Sequence, residues 1–259
     1  MEPLLLAKVG GKVVEEPDAL QELIAHFAAI PGKKVLVHGG GRTATDVAGR
    51  LGLESRMVQG RRITDADTLD VITMVYGGLI SRKVVAQLQA AGVNAVGLTG
   101  ADLNLIRARK RPVGEIDWGF VGDVESVNGD GLHALLETGA VPVFAAITHD
   151  GHGQLFNTNA DTIAAELAAA LSAYYDVTLA YCFEHPGVMR DLNDPNSLVA
   201  ELTSARYRTL KDDGTIKEGM LPKLDNGFRA LAKGAQHVVV CKSDQLQFQQ
   251  PQGTWLTEA

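Results

Sequence analysis

The chain has 259 residues, 24 basic and 31 acidic side chains and a formal net charge of -7. That length can bury a substantial core, as one large domain or as two closely packed lobes, and the acidic balance excludes bulk nucleic-acid or anionic-lipid binding as the main role. No stretch of membrane-spanning length and no signal-peptide pattern is present, and the two cysteines, Cys182 and Cys241, lack metal-ligand spacing, so a cytoplasmic protein with buried free thiols is expected.

Apolar runs bounded by glycine predict buried strands over Leu4 to Val9, Val35 to Val37, Ala95 to Leu98, Val141 to Ile147, Val177 to Cys182 and Val238 to Cys241. Between them apolar residues recur at helical spacing, first at Leu20, Leu23, Ile24 and Phe27, then at Ala44, Val47, Ala48 and Leu51. This alternation predicts an α/β protein with a largely parallel sheet. In such sheets ligands gather beyond the carboxyl ends of the strands, where loops enter helix N-termini. A lobe boundary is expected between Ser172 and Asp176, after an alanine-rich helix from Asp161 to Leu171, and Asp191 to Ser197 reads as a surface loop.

Five segments carry candidate chemistry. Lys8-Val9-Gly10-Gly11 ends the first strand; paired glycines let backbone N–H groups approach a phosphoryl group and the lysine supplies a compact positive charge, although a plain tight turn has the same pattern. Val37-His38-Gly39-Gly40-Gly41 leads into a helix expected from about Thr43, an anion site by its exposed N–H groups and dipole, while His38 reads as the structural end of a buried strand. The run has neither the dinucleotide G-x-G-x-x-G spacing nor a Walker-type lysine. Gly60-Arg61-Arg62-Ile63-Thr64-Asp65 places arginines before a helix that Thr64 is expected to cap, suited either to a carboxylate ligand or to a solvated basic turn. Asn157-Thr158-Asn159-Ala160-Asp161 opens the alanine-rich helix with more polar groups than a cap requires. Gly219-Met220-Leu221-Pro222-Lys223-Leu224 puts a lysine in a first helical turn, where it opposes the macrodipole unless an anion is present. The cluster Arg107, Arg109, Lys110, Arg111 reads as a solvated hairpin face.

In this order and at these intervals the segments, together with Val96 to Asp102 and Gly119 to Val124, resemble the N-acetylglutamate kinases of the amino-acid kinase family. The resemblance runs from Leu4 to about Leu231 and implies a three-layer αβα sandwich with an open, mainly parallel central sheet. It implies an acyl-glutamate lobe over residues 1–173 that also dimerises, and a nucleotide lobe over 174–259. Lys8 and Lys223 would flank the transferred phosphoryl group and Asp161 would hold both. Gly10, Gly11, Gly40, Gly187 and Gly219 would face the phosphates or the nucleotide, and Gly40, Gly41, Arg61, Arg62 and Asn157 the acylated amino acid. The substrates implied are ATP, with Mg2+ carried on its phosphates and no protein metal site, and N-acetylglutamate. The expected assembly is a homodimer insensitive to arginine, since the first strand begins at once without the N-terminal helix of arginine-inhibited hexameric members.

Two departures from the family pattern bear on specificity. Tyr181-Cys182-Phe183-Glu184-His185-Pro186-Gly187-Val188 replaces a turn that usually contains aspartate, which leaves the choice of nucleotide open. Arg61 stands where an apolar residue is frequent, so N-succinylglutamate is an alternative substrate if the side chain turns inward. Carbamate, aspartate, glutamate and uridylate kinases, and a noncatalytic binder on the same fold, are the competing readings. Joint retention of Lys8, Asp161 and Lys223 favours an enzyme, because a binder has no developing charge to balance.

Overall fold

A computed structural model of the chain describes all residues except 59, 192, 195, 217, 218, 248–250 and 259, so the expected loop at 191–197 lies partly outside the described residues. The chain opens with β1 (Glu2–Val9), α1 (Gly11–Glu15), α2 (Pro17–Ala29), β2 (Lys33–His38) and α3 (Gly41–Arg50). A short ribbon, β3 (Met57–Val58) and β4 (Arg61–Arg62), leads to α4 (Ala66–Ile72), which continues through a π-helical stretch, Thr73–Ile80, into α5 (Ser81–Ala90). Next come β5 (Ala95–Leu98), β6 (Ile106–Lys110), β7 (Gly122–Val127), α6 (Gly129–Glu137), β8 (Val141–Ala145), β9 (Ile147–His149), β10 (Leu155–Asn157) and α7 (Ala160–Leu171). The remainder comprises β11 (Tyr175–Phe183), β12 (Glu201–Thr203), α8 (Ser204–Asp212), α9 (Leu221–Ala232), β13 (His237–Lys242) and β14 (Gly253–Thr257).

Among the described residues eight strands form one sheet in the order β12-β14-β13-β11-β1-β2-β8-β5. Only the β13–β14 pairing is antiparallel. Leu4, Leu5, Leu6, Ala7 and Val9 of the central β1 are all buried, because parallel strands joined by crossover helices are covered on both faces. The helices pair with one another as α2 with α5 and α7 with α9, forming the outer layers. One helix end is closed by a buried cation: Lys34 Nζ donates to the carbonyls of Phe27, Ala28 and Ile30 at 2.8, 3.2 and 2.6 Å. Carbonyls left over at a helix C-terminus favour such a cation.

One expectation changes. The apolar run from Val141 to Ile147 is split at Ala146: β8 stays in the main sheet, while β9 turns into a four-stranded sheet of order β10-β9-β6-β7. The switch is fixed by Gly100 N–H donating to the Ile147 carbonyl at 2.8 Å and Thr158 N–H to that of Ala146 at 3.2 Å. The main sheet is continuous across the expected lobe boundary. Strand β11 begins at Tyr175 and runs parallel to β1 from Glu2↔Tyr175 to Val9↔Cys182.

Candidate functional site

The carboxyl ends of β1 and β2 open into a cavity of about 560 Å³ whose walls include Lys8, Gly11, Gly40, Arg62, Asn157 and Asp161. Its floor holds Lys8 and Asp161, and Lys223 completes the lysine–aspartate–lysine group from outside the lining. Asn159 caps α7, its side chain accepting from the N–H groups of Asp161 at 2.7 Å and Thr162 at 3.2 Å, and this points Asp161 back toward β1. Lys8 Nζ then lies 2.7 Å from Asp161 Oδ1 and Lys223 Nζ 3.6 Å from Asp161 Oδ2. All three are buried. Burial pushes the Asp161 carboxyl up, but Lys8 and Lys223 outweigh it and hold the group below the usual carboxylate range. Burial pulls Lys223 below the usual ammonium range, with Asp161 opposing. Lys223 also donates to the Gly219 carbonyl at 3.2 Å and lies 5.0 Å from the centre of the Phe183 ring. Two ammonium groups thus share one carboxylate, leaving a net positive charge beside the cavity floor.

The glycine turn after β2 is shaped by what crosses it. A Cβ on Gly40 would fall 2.1 Å from Ile80 Cδ1 and 3.1 Å from the Tyr76 ring, so the π-helical stretch packs where a side chain would stand. Helix α3 starts at Gly41, slightly earlier than expected, and Glu15 already accepts the Thr43 N–H at 2.8 Å. His38 is wholly buried with Nδ1 2.8 Å from the Gly39 carbonyl, and burial pulls its pKa down to about 4. It lies outside the cavity wall, which agrees with a structural role.

Arg62 is buried and pinned by three bonds, from Nη1 to Ser55 Oγ at 2.7 Å and from Nη2 to the Gly41 carbonyl and Thr45 Oγ1, each at 2.8 Å. A guanidinium carries five donors, so two remain for a ligand. Thr64 does not cap α4 as expected; Asp65 does, accepting from Thr68 N–H at 2.9 Å. Thr64 is instead fully buried and accepts from Asn157 Nδ2 at 3.0 Å, which leaves the Asn157 carbonyl oxygen unengaged by that bond.

The basic hairpin also corrects the sequence reading. Arg109 and Arg111 lie two residues apart on one face of β6 and its extension and line the cavity, as does exposed Arg61. Arg111 binds Asp123 through Nε and Nη2 at 3.0 and 2.6 Å. Arg107 and Lys110 are exposed, as expected. Gly187 and Gly219 line a second cavity of about 350 Å³ with Phe183, His185 and Met220, and Gly10 lines neither. Sequence reasoning missed Tyr76, which carries no local signal, and Asp225, Asn226 and Arg229, whose i, i+1, i+4 placement after Pro222 on α9 marks one helix face.

A mainly parallel αβα sheet with glycine turns and a buried cationic pair at its carboxyl edge defines an α/β protein with an anion-binding cleft. Residues 3–242 match the model of the amino acid kinase family, and the chain belongs to that family. It is 59% identical over 239 residues, 92% of this chain and 93% of the relative, to the acetylglutamate kinase of Bacteroides thetaiotaomicron. To that of Methanopyrus kandleri it is 39% identical over 237 residues, 90% of this chain and 92% of the relative. Among solved structures, N-acetylglutamate synthase from Neisseria gonorrhoeae, complexed with coenzyme A and N-acetyl-glutamate, superposes with a TM-score of 0.83 at 20% identity, over 99% of this chain and 60% of that one. Carbamate kinase from Giardia lamblia bound to AMP-PNP gives 0.69 at 12% identity, over 100% and 99%. At these identities the two structures speak for the fold.

Proposed function

We propose that the chain transfers the γ-phosphoryl group of ATP to the side-chain carboxylate of N-acetyl-L-glutamate, as a step of arginine biosynthesis. The observation that carries this is the buried Lys8–Asp161–Lys223 group, whose Lys8 and Asp161 line the cavity. A carboxylate oxygen attacks the γ-phosphorus as the bond to the β-bridging oxygen breaks, giving an acyl phosphate and ADP. The nucleophile is already ionised near neutral pH, so no general base is needed. Lys8 and Lys223 neutralise charge on the transferring group, and Asp161 fixes their separation without quenching both. Gly11 and Gly40 offer N–H groups to the phosphoryl oxygens. The free donors of Arg62 take the α-carboxylate, and the Asn157 carbonyl accepts the acyl-amide N–H.

The second cavity, with Gly187 and Gly219, takes the nucleotide, and Phe183 on its wall stands beside Lys223. On this basis residues 1–173 form the acyl-glutamate lobe and 174–259 the nucleotide lobe. Magnesium accompanies the nucleotide. Asp161 is engaged by two ammonium groups, so the ion is proposed to ride on the phosphate oxygens of ATP. There it would offset charge on the β- and γ-oxygens. The homodimer proposal is supported by exposed Met74 and Leu79 on the π-helical stretch, at 55% and 41%. A cytoplasmic location fits the free thiols of Cys182 and Cys241.

The test is incubation with Mg-ATP and N-acetyl-L-glutamate, following ADP and trapping acyl phosphate with hydroxylamine. Equal yields of ADP and hydroxamate are expected. Turnover of glutamate, aspartate or carbamate in place of N-acetylglutamate overturns the proposal. A dimer mass by light scattering checks the assembly.

A further inference from the structure

The charges lining the main cavity do not balance, and two of the unpaired cations lie at the acyl end. Four carboxylates line it, and each already has a cation: Asp161 has Lys8, Asp123 has Arg111, Glu166 has Lys233 and Asp225 has Lys211. On the cationic side, the free donors of Arg62 answer the α-carboxylate of the amino acid, and the two lysines answer the transferring phosphoryl group. Three arginines remain on the wall with no carboxylate partner among the described residues: Arg229 on α9, the helix that carries Lys223, and, at the acyl end, Arg61 and Arg109. Both are exposed, so neither is held there by packing.

The two arginines belong to segments that are tied together. Thr64, just after β4, donates its N–H to the Trp118 carbonyl at 3.0 Å and accepts the Phe120 N–H at 2.6 Å, joining the Arg61 segment to the loop between β6 and β7. Asn157, whose side chain meets the acyl amide in the proposed reaction, bonds the same Thr64 at 3.0 Å. The Arg111 guanidinium, two residues beyond Arg109, lies 5.9 Å from the Trp118 ring and is bound by Asp123. Arg111 is therefore neutralised and fixed, whereas Arg109, across from Asp123 in the β6–β7 register, is left to a ligand. A methyl group opposite such a wall would leave both guanidinium groups to water.

We infer that the acyl group of the preferred substrate ends in a second carboxylate, so that the site takes an N-acylglutamate with a dicarboxylic acyl chain of succinyl size, held by Arg109 and Arg61. This rests on the kinase reading above and refines its substrate. Arginine binds a carboxylate through paired charge-assisted hydrogen bonds, and a site built for such a group discriminates against analogues that lack it.

The test compares kcat/KM for N-succinyl-L-glutamate and N-acetyl-L-glutamate with Mg-ATP, in the parent protein and in Arg109→Gln and Arg61→Leu, with circular dichroism confirming the fold of each. The succinyl substrate is expected to lead by about tenfold or more, at ~1.4 kcal/mol per decade. Arg109→Gln should bring the ratio of the two substrates toward one, with most of the loss in the succinyl KM and a much smaller change for acetyl, and Arg61→Leu should do so in part. Equal or better kcat/KM for the acetyl substrate overturns the inference and leaves the kinase reading standing. An equal fall for both substrates in folded Arg109→Gln also overturns it, since the arginine would then serve the cavity rather than the acyl end. Turnover of neither substrate overturns the kinase reading, and this inference with it.

Discussion

Two walls of the same cavity are cationic by opposite means. At the phosphoryl end Lys8 and Lys223 are buried, and the protein supplies their counter-charge as Asp161, itself fixed by the α7 cap. At the acyl end Arg61 and Arg109 are exposed on a ribbon and a hairpin, and only Arg111 has a carboxylate of the protein's own. The difference follows from desolvation. A buried ammonium group without a partner costs several kcal/mol, so the interior must carry its own anion, whereas an exposed guanidinium is supported by water until a ligand replaces it. The first wall is preorganised for charge that develops during reaction, and the second for charge that arrives with the substrate.

The largest effect should come from Asp161→Asn, which leaves two buried ammonium groups facing each other. Stability should fall by about 3–5 kcal/mol, the usual cost of breaking a buried pair. The variant's kcat should fall by about a thousandfold or more, on the scale of losing a preorganised electrostatic group. Denaturant unfolding and the coupled ADP assay measure both, and a stable, active variant would show that the lysines need no internal partner. Lys8→Ala should come next, with kcat reduced by about 10²- to 10³-fold and acyl-glutamate affinity changed far less. A normal kcat in single-turnover measurements would remove Lys8 from the chemistry.

Acid should separate the buried frame into stages. His38 titrates at about 4 in the folded protein against 6.5 when unfolded, so the unfolded chain binds more protons between those values. Stability should therefore drop by ~3 kcal/mol as pH falls from 6.5 toward 4, and His38→Asn should flatten that part of the curve. Asp161, whose folded pKa is depressed, contributes stability that is present above 3.8 and is lost only at lower pH. Urea melts across the range check the order of the two stages. The smallest effect should be that of salt on the exposed wall. Raising ionic strength from about 0.1 to about 1 M shortens screening from ~10 to ~3 Å, so KM for the acyl-glutamate should rise severalfold. In the same experiment kcat should move by less than about twofold, because buried pairs are screened little. A parallel fall in kcat would mean that the two walls are not distinct.

The phosphoryl end was the more legible in sequence because its parts follow local rules. Lys8 and Gly11 follow a strand, Asp161 follows a capping asparagine, and Lys223 stands in a first helical turn that disfavours it. The acyl end was less legible. Arg109 and Arg111 alternate on a strand, but alternation tells which residues share a face and not what that face meets. Likewise Thr64 resembled a cap, and its actual partner, Asn157, lies 93 residues further along the chain.

By itself the sequence determined the class of fold, because apolar runs that must be covered on both faces and separated by helical periods admit few arrangements besides a parallel sheet between helices. The residues of the lysine–aspartate–lysine group came from the resemblance of their segments to the family, since each segment alone also has a plain structural reading. The tertiary structure decided where β8 gives way to β9, that the main sheet continues across residue 174, and that the basic hairpin turns toward the cavity. These depend on contacts between distant segments, such as Gly100 with Ile147 and Thr64 with Trp118 and Phe120, whose partners no local pattern specifies.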